Sequence, residues 1–138
     1  MPAGGVEFGF RRAGVGKRDF LRVSPSIDAP VGISFSPEEL NEMVSFVKVR
    51  NISAGGVMIQ ISDAAPGRDG LLPTGYIIKR IQLSLPGQDA CVLAGIVRFT
   101  YGSLRGIEFL PNEQEQGKLA RYVYQREVEM LGHPRRDR

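Results

Sequence analysis

The chain has 138 residues, of which 42% are hydrophobic, and this composition suits a single domain with one modest core. Its net charge of +3 is too small for a surface coated with nucleic-acid-binding charge, and Cys91, the only cysteine, excludes an intrachain disulfide and a cysteine-based metal site. No apolar run is long enough to span a bilayer and no signal peptide is recognisable, so we expect a cytoplasmic protein without a membrane span.

The N-terminal part of the chain is rich in glycine and in basic residues. Residues 1–16 contain five glycines and are predicted to form a flexible arm, with a short edge strand as the alternative. Residues 17–23 lead from this arm into the folded domain and include Arg18 and Arg22, four positions apart. A run of charged residues usually forms a solvated surface, so this segment needs a second motif before it indicates a site.

Six segments have the alternating apolar pattern and β-branched content of strands. Their short connections favour a closed antiparallel barrel, which removes the exposed edges of an open sheet. Between the first two strands, Ser36-Pro37-Glu38-Glu39 has a helix-start signature and predicts one helical turn. The predicted strands cover residues 27–35, 42–50, 57–62, 76–85, 90–101 and 104–110.

Two details of the strand pattern predict how side chains are distributed between the two faces of the sheet. In the fourth strand, Ile77 is expected on the same face as Ile81, and Ile78 on the opposite face. In the fifth strand, Phe99 is expected on the same face as Val97, and Gly95 indicates a bulge or a tight bend of the barrel.

The stretch Asn51-Ile52-Ser53-Ala54-Gly55-Gly56 joins the second and third predicted strands and marks a sharp corner. Asn51 and Ser53 are two residues apart, so on an extended backbone their side chains point the same way. The glycines that follow allow another molecule or chain to come close to the backbone. The stretch therefore predicts a small polar cradle of one amide and one hydroxyl.

The apolar period changes to three and four residues after Pro111-Asn112, which predicts a helix to about Met130. Gly132-His133-Pro134 is expected to end this helix and to leave residues 132–138 as a basic tail. The helix stripe is expected to pack on the barrel mouth, and its members are Leu119, Tyr122, Val123, Arg126 and Met130.

The pair Arg18-x-x-x-Arg22, followed about thirty residues later by Asn51-x-Ser53-x-x-Gly56, resembles the two motifs of the PilZ domain family. The resemblance covers roughly residues 17–130 and implies a PilZ-like six-stranded antiparallel β-barrel with a C-terminal α-helix, here residues 17–131. In that family the two motifs together bind cyclic di-GMP on the outside of the barrel. The segment 122–127 resembles the final helix of the YcgR-type flagellar-brake subgroup, which implies a role in motility or biofilm control.

The resemblance implies the site residues, and their chemistry suits the ligand. The forked guanidinium of an arginine can donate two parallel hydrogen bonds to O6 and N7 of guanine, stack on a purine, or pair with a phosphate. Arg18 and Arg22 are predicted to do this, while Asn51 and Ser53 bind the second guanine or a phosphate and Gly56 gives the ligand room. Predicted accessory contacts are Lys17, Arg50 and Gly55. The extra positive charge of Lys17 suggests that two stacked ligand molecules bind, and a single bound molecule is the alternative.

The predicted mechanism is a switch. If the arm is flexible when free, closure of Arg18 and Arg22 over cyclic di-GMP would order it and change the surface presented to an effector protein, such as the flagellar motor or other output machinery. We expect neither an enzyme nor a cofactor or metal, because the carboxylates are scattered and the single histidine, His133, lies in the tail.

Two other functions remain open from the sequence. A small barrel with a basic arm could bind single-stranded nucleic acid, although the absence of tryptophan and the low net charge disfavour a nucleic-acid polymer as partner. A PilZ-like adaptor that acts by protein contacts without a ligand is the third interpretation, and the intact arginine pair disfavours it.

Overall fold

The computed structural model describes residues 21–36 and 44–136. Within them the chain forms six antiparallel strands followed by one long helix, as predicted. The predicted arm, Lys17, Arg18 and the helix-start signature after Ser36 lie outside the described residues. The elements are β1 (Gly32–Ser36), β2 (Val47–Ile52), β3 (Gly56–Ile61), β4 (Ile77–Ser84), β5 (Cys91–Tyr101), β6 (Leu104–Phe109) and α1 (Glu113–Arg136), with short 3₁₀ turns at Val44–Phe46 and Arg68–Gly70.

The strands form one sheet in the order β1-β4-β5-β6-β3-β2, and its two end strands, β1 and β2, lie against each other, so the barrel is nearly closed. The predicted first strand was too long at its N-terminal end. The amide of Ala29 donates to the Ser26 carbonyl in a turn (3.2 Å), and Pro25 and Pro30 have no N–H for a strand ladder. Val31, Ile33 and Phe35 share the buried face.

Two bulges, one between β4 and β5 and one between β5 and β6, change the predicted side-chain faces. The register between β4 and β5 shifts between Ile78 and Ile81, so Ile78 is buried and Ile77 is 58% exposed, which is the reverse of the prediction. The register between β5 and β6 shifts between Val97 and Phe99, which turns Phe99 to the outside of the barrel. Each bulge adds one residue to its strand, and one residue is enough to move every later side chain to the other face.

Gly95 lies at the edge of the first bulge, as predicted, because it pairs with Ile78 directly before the register shifts. It is buried opposite Phe109, and a Cβ atom there would come within 2.8 Å of Ile107 Cγ2 and 3.1 Å of Ile81 Cδ1. The glycine is required because the interior side chains of two neighbouring strands already fill this space.

Helix α1 begins at a side-chain cap. Asn112 Oδ1 accepts from the amide of Glu115 (3.1 Å), and the Asn112 amide donates to Gln116 Oε1 (3.0 Å). Of the predicted apolar stripe, Leu119, Tyr122 and Val123 are buried, whereas Met130 is 45% exposed because the helix has passed the barrel by that point.

The predicted stop at Gly132-His133-Pro134 was wrong, because α1 continues to Arg136. A proline removes one backbone donor, and a carbonyl on the exposed side of a helix can bind water instead. Residues 132–136 are therefore part of the helix and do not form a separate tail.

Polar contacts fix the position of α1 against β5. Glu115 Oε1 accepts from the amide of Val92 (2.7 Å), and Lys118 Nζ donates to the Ala90 carbonyl (3.1 Å) and pairs with Glu115 Oε2 (3.1 Å). The Val92 hydrogen bond, followed by Lys118, holds the pKa of Glu115 below its usual value. These contacts fix the helix beside the strands that carry the candidate site.

Candidate functional site

Ser53 builds the turn between β2 and β3. The residue is buried, and its Oγ accepts from the amides of Gly55 (3.2 Å) and Gly56 (3.1 Å) while lying 3.3 Å from the Gly56 carbonyl. The Ser53 amide donates to the same carbonyl (2.9 Å). The hydroxyl thus uses its hydrogen-bonding capacity to close the turn, and a direct bond from Ser53 to a ligand stays a prediction.

Of the two glycines of the turn, Gly56 is needed by the fold itself. A Cβ atom at Gly56 would overlap the Ile107 carbonyl oxygen on the neighbouring strand β6, and this oxygen belongs to the backbone and cannot rotate away. The Gly55 carbonyl accepts from the amide of Phe109 (2.9 Å), which joins the turn to the end of β6. The approach of strand β6 explains Gly56, whether or not a ligand also comes close.

Asn51 lies on the outer face of β2, opposite Met58 of β3. It is half-buried, and its Nδ2 lies 3.9 Å from the Met58 sulfur, which is a weak acceptor. The amide therefore keeps most of its hydrogen-bonding capacity for another partner on the outside of the barrel.

Arg22 is brought to the same place by a short backbone pairing. Its neighbour Val23 is buried and exchanges two hydrogen bonds with Ile52, from Val23 N to Ile52 O (3.0 Å) and from Ile52 N to Val23 O (2.9 Å). Residues on either side of this bridge face outwards, so Arg22 is exposed beside Asn51 and Ser53. Of the two predicted arginines, the described residues contain this one.

A narrow cleft joins these residues. Its volume is about 20 Å³, which is room for about one water molecule, so a larger ligand would lie across its mouth. Of the predicted site residues, Arg22, Asn51, Ser53 and Gly56 line the cleft, whereas Arg50 lies in a neighbouring groove and Gly55 is buried behind the turn. The remaining cleft residues are Val57, Met58, Arg98, Phe99, Gly106 and Ile107.

Arg98 and Phe99 were not predicted as site residues. Arg98 is 51% exposed and its Nε donates to Glu108 Oε1 (2.5 Å), while Phe99 is 38% exposed and its ring lies directly over Gly106. The strand pattern had placed Phe99 on the same face as Val97, which is buried, and the bulge after Val97 turns Phe99 outwards. A glycine opposite an aromatic residue would have been the signal, but it requires the strand register to be known.

The charges around the cleft are mostly positive. Arg22 and Arg98 lie in it and Arg50 lies beside it, while Glu108 pairs with Arg98. The described residues contain no group of three or more histidine, cysteine or acidic side chains arranged for a metal ion. None of their helices is both long and apolar enough to cross a membrane. The arrangement suits recognition of an anionic ligand that also offers a polar edge and an aromatic face.

Comparisons with known proteins agree with this geometry. The family model of the PilZ domain matches residues 16–125. No curated protein matches the sequence significantly.

Three solved structures share the fold. The PilZ domain of YcgR from Escherichia coli, solved with cyclic di-GMP, has a TM-score of 0.63 and 13% identity, and the match covers 86% of this chain and 97% of that one. The inhibitor of motility MotI/DgrA from Bacillus subtilis has a TM-score of 0.60 and 20% identity over 81% of this chain, which spans only 52% of that protein. The uncharacterised Legionella protein Lpg0364 has a TM-score of 0.53 and 14% identity, covering 80% and 98% of the two chains.

Proposed function

Because this chain belongs to the PilZ domain family, a family of cyclic di-GMP receptors, we propose that it is itself a receptor that binds cyclic di-GMP on the outer face of its barrel. The observation that carries the proposal is the cleft that Arg22 shares with the turn from Asn51 to Gly56. These residues are about thirty positions apart in the sequence, and the bridge between Val23 and Ile52 holds them together.

The roles of the residues follow from the chemistry of the ligand. The Arg22 guanidinium would donate two hydrogen bonds to a guanine edge or pair with a phosphate, and Arg18 would act in the same way from outside the described residues. Asn51 would bind a guanine or phosphate with the amide that Met58 only weakly occupies. Ser53 and Gly56 contribute chiefly by fixing the turn, and the exposed Phe99 ring offers an apolar surface for a base.

Two contacts support a switch without a chemical reaction. Gln116 Nε2 donates to the Ala54 carbonyl in the turn (3.0 Å), and Arg126 Nε donates to the Ser24 carbonyl next to the Arg22 segment (2.7 Å). Helix α1 therefore contacts both sides of the proposed ligand site. Closure of Arg18 and of the Arg22 side chain onto the ligand would alter the surface at the junction of barrel and helix, where we propose that an effector protein binds.

The proposed setting is bacterial signalling in the cytoplasm. Two of the similar structures are YcgR and an inhibitor of motility, which supports control of motility through motor-related proteins as the output, with biofilm control as a related one. We propose that one or two stacked molecules of cyclic di-GMP bind and that no cofactor takes part.

Isothermal titration calorimetry with cyclic di-GMP on the wild type and on Arg22→Ala tests the proposal. Loss of charged hydrogen bonds is worth about 1.5–3 kcal/mol, so we expect affinity to fall by about 10- to 150-fold. Arg121→Ala is the matched control, because this exposed arginine lies on α1 and does not line the cleft, and it should bind as the wild type does.

The same titrations separate the other functions. A nucleic-acid-binding barrel would bind a single-stranded oligonucleotide more tightly than cyclic di-GMP, with an affinity that falls steeply between two salt concentrations. An adaptor without a ligand would release no heat with cyclic di-GMP. Either outcome, or equal binding by the wild type and Arg22→Ala, would overturn the proposal.

A further inference from the structure

An open groove lies next to the cleft on the outside of the barrel. Its volume is about 500 Å³, compared with about 20 Å³ for the cleft, and the two share Asn51 and Met58. The remaining groove residues are Ser24, Arg50, Gln60, Tyr101, Gly102, Ser103 and Leu104. The cleft and the groove therefore adjoin at Asn51 and Met58, and a ligand that lies across the mouth of the cleft would reach the groove over these two residues.

The floor of the groove is held rigidly. Gln60 Nε2 donates to Ser103 Oγ (3.3 Å), and the amide of Ile61 donates to the Ser103 carbonyl (2.8 Å), which fixes the tip of the β5–β6 hairpin to β3. From inside the barrel, Arg105 Nη1 donates to the carbonyls of Gly102 (2.7 Å) and Leu104 (2.9 Å). The hairpin tip is thus fixed from both faces of the sheet before any ligand binds.

The groove combines an aromatic face with oriented polar groups. Tyr101 is 77% exposed at its rim, which is unusual for a large aromatic side chain. The Arg50 guanidinium faces the same groove and is oriented by Gln60, whose Oε1 accepts from Arg50 Nη1 (2.5 Å). An exposed ring and an oriented guanidinium are the groups that stack on a purine and bind its acceptor edge.

We infer that this groove is a purine-binding subsite, in which Tyr101 stacks on one guanine base and Arg50 binds its edge. The inference rests on the proposed function and extends it, because the cleft alone is too small for a base. The base comes either from the same cyclic di-GMP molecule that Arg22 holds or from a second molecule stacked on the first. Both sources present the same chemistry to Tyr101, and the stoichiometry distinguishes them.

Calorimetry with cyclic di-GMP on Tyr101→Ala and Tyr101→Phe tests the inference. Loss of base stacking on an aromatic side chain should weaken binding by about 5- to 150-fold in Tyr101→Ala, while Tyr101→Phe keeps the ring and should remain within about threefold of the wild type. If the groove holds a second molecule, the stoichiometry falls instead from two to one. Arg50→Ala, which removes the edge contact and leaves the ring, should weaken binding independently.

The control for Tyr101→Ala is Tyr124→Ala, since Tyr124 is 68% exposed on α1 and does not line the groove. Unchanged affinity and stoichiometry in both Tyr101→Ala and Arg50→Ala would overturn the inference. The proposed function fails separately, by absence of cyclic di-GMP binding to the wild type or by unchanged binding to Arg22→Ala.

Discussion

Two turns border the proposed ligand surface, and they are held by different means. The turn between β2 and β3, residues 53–55, is closed by the Ser53 hydroxyl, whose partners Gly55 and Gly56 are two and three residues away. The turn between β5 and β6, Gly102–Ser103, is held by Arg105, which is buried and also binds the Leu71 carbonyl (2.9 Å) in a distant loop. The side-chain hydrogen bonds that close the first turn are all local, whereas the side chain that holds the second turn is also bonded to a distant loop.

This difference matters for how each turn can vary. A locally closed turn keeps its shape as long as a short sequence is kept, which suits a motif that can be recognised in the sequence. Arg105 is also only three residues from Gly102, but its guanidinium binds the Leu71 and Arg68 carbonyls of a distant loop as well, so the second turn depends on that loop too.

Arg105→Met should have the largest effect. Arg105 is 1% exposed, and its guanidinium donates to the carbonyls of Leu71, Gly102, Leu104 and Arg68, so methionine would leave several part-buried acceptors without this donor. Burial lowers the pKa of Arg105, but an arginine remains charged at neutral pH. We expect the free energy of unfolding in urea to fall by about 3–5 kcal/mol.

The control for Arg105→Met is Arg98→Met. Arg98 is 51% exposed on the same hairpin and makes a surface ion pair with Glu108, so its loss should cost less than about 1 kcal/mol. Amide hydrogen exchange measures the effect at each turn separately. In Arg105→Met, exchange should be accelerated more, relative to the wild type, at the amides around Gly102 than at those of Gly55 and Gly56. Equal acceleration at both turns would contradict the contrast between them.

Gly56→Ala should have the next largest effect. The added methyl group would overlap the Ile107 carbonyl oxygen, and because this oxygen is fixed in the β3–β6 ladder, the strands themselves would have to move. We expect a loss of about 2–3 kcal/mol in urea unfolding. Gly117→Ala is the control and should not destabilise the protein, because nothing lies within 4 Å of its added methyl group and a helix interior favours alanine over glycine. A tolerated Gly56→Ala would mean that the glycine serves the ligand alone.

The fold could largely be predicted from the sequence, because strand period, turn residues and the helix period are local signals. The number and pairing sense of the strands and the terminal helix were confirmed. The errors occurred where non-local contacts decide. The bulges that exchange Ile77 with Ile78 and turn Phe99 outwards depend on the register with the neighbouring strand, which no alternation pattern contains.

In the candidate site, too, the residues that local sequence signals mark were predicted, and those that non-local contacts bring there were not. The turn from Asn51 to Gly56 was recognised because its residues act on one another at close spacing, and Arg22 lies beside it as expected. Arg98, Phe99 and Tyr101 were missed, because what brings them to the surface beside Asn51 is the order β5-β6-β3-β2 of the sheet. Nothing in the segment around Arg105 distinguishes a buried arginine from an exposed one.

Gly102→Ala should have the smallest of the three effects, and for a different reason from Gly56. Gly102 has a φ of 58°, a conformation that is unfavourable for residues with a Cβ atom, but nothing lies within 4 Å of the position of an added methyl group. The cost is therefore conformational and should be about 1–2 kcal/mol in urea unfolding. Gly70→Ala provides the matched control, because its surroundings are equally open and its φ is not positive, so it should change stability by less than about 0.5 kcal/mol. If Gly102→Ala destabilised the protein as much as Gly56→Ala, crowding and backbone conformation would not distinguish the two turns. A smaller loss of stability, together with intact cyclic di-GMP binding, would mean that Arg105 holds the hairpin tip in place even when its turn is strained.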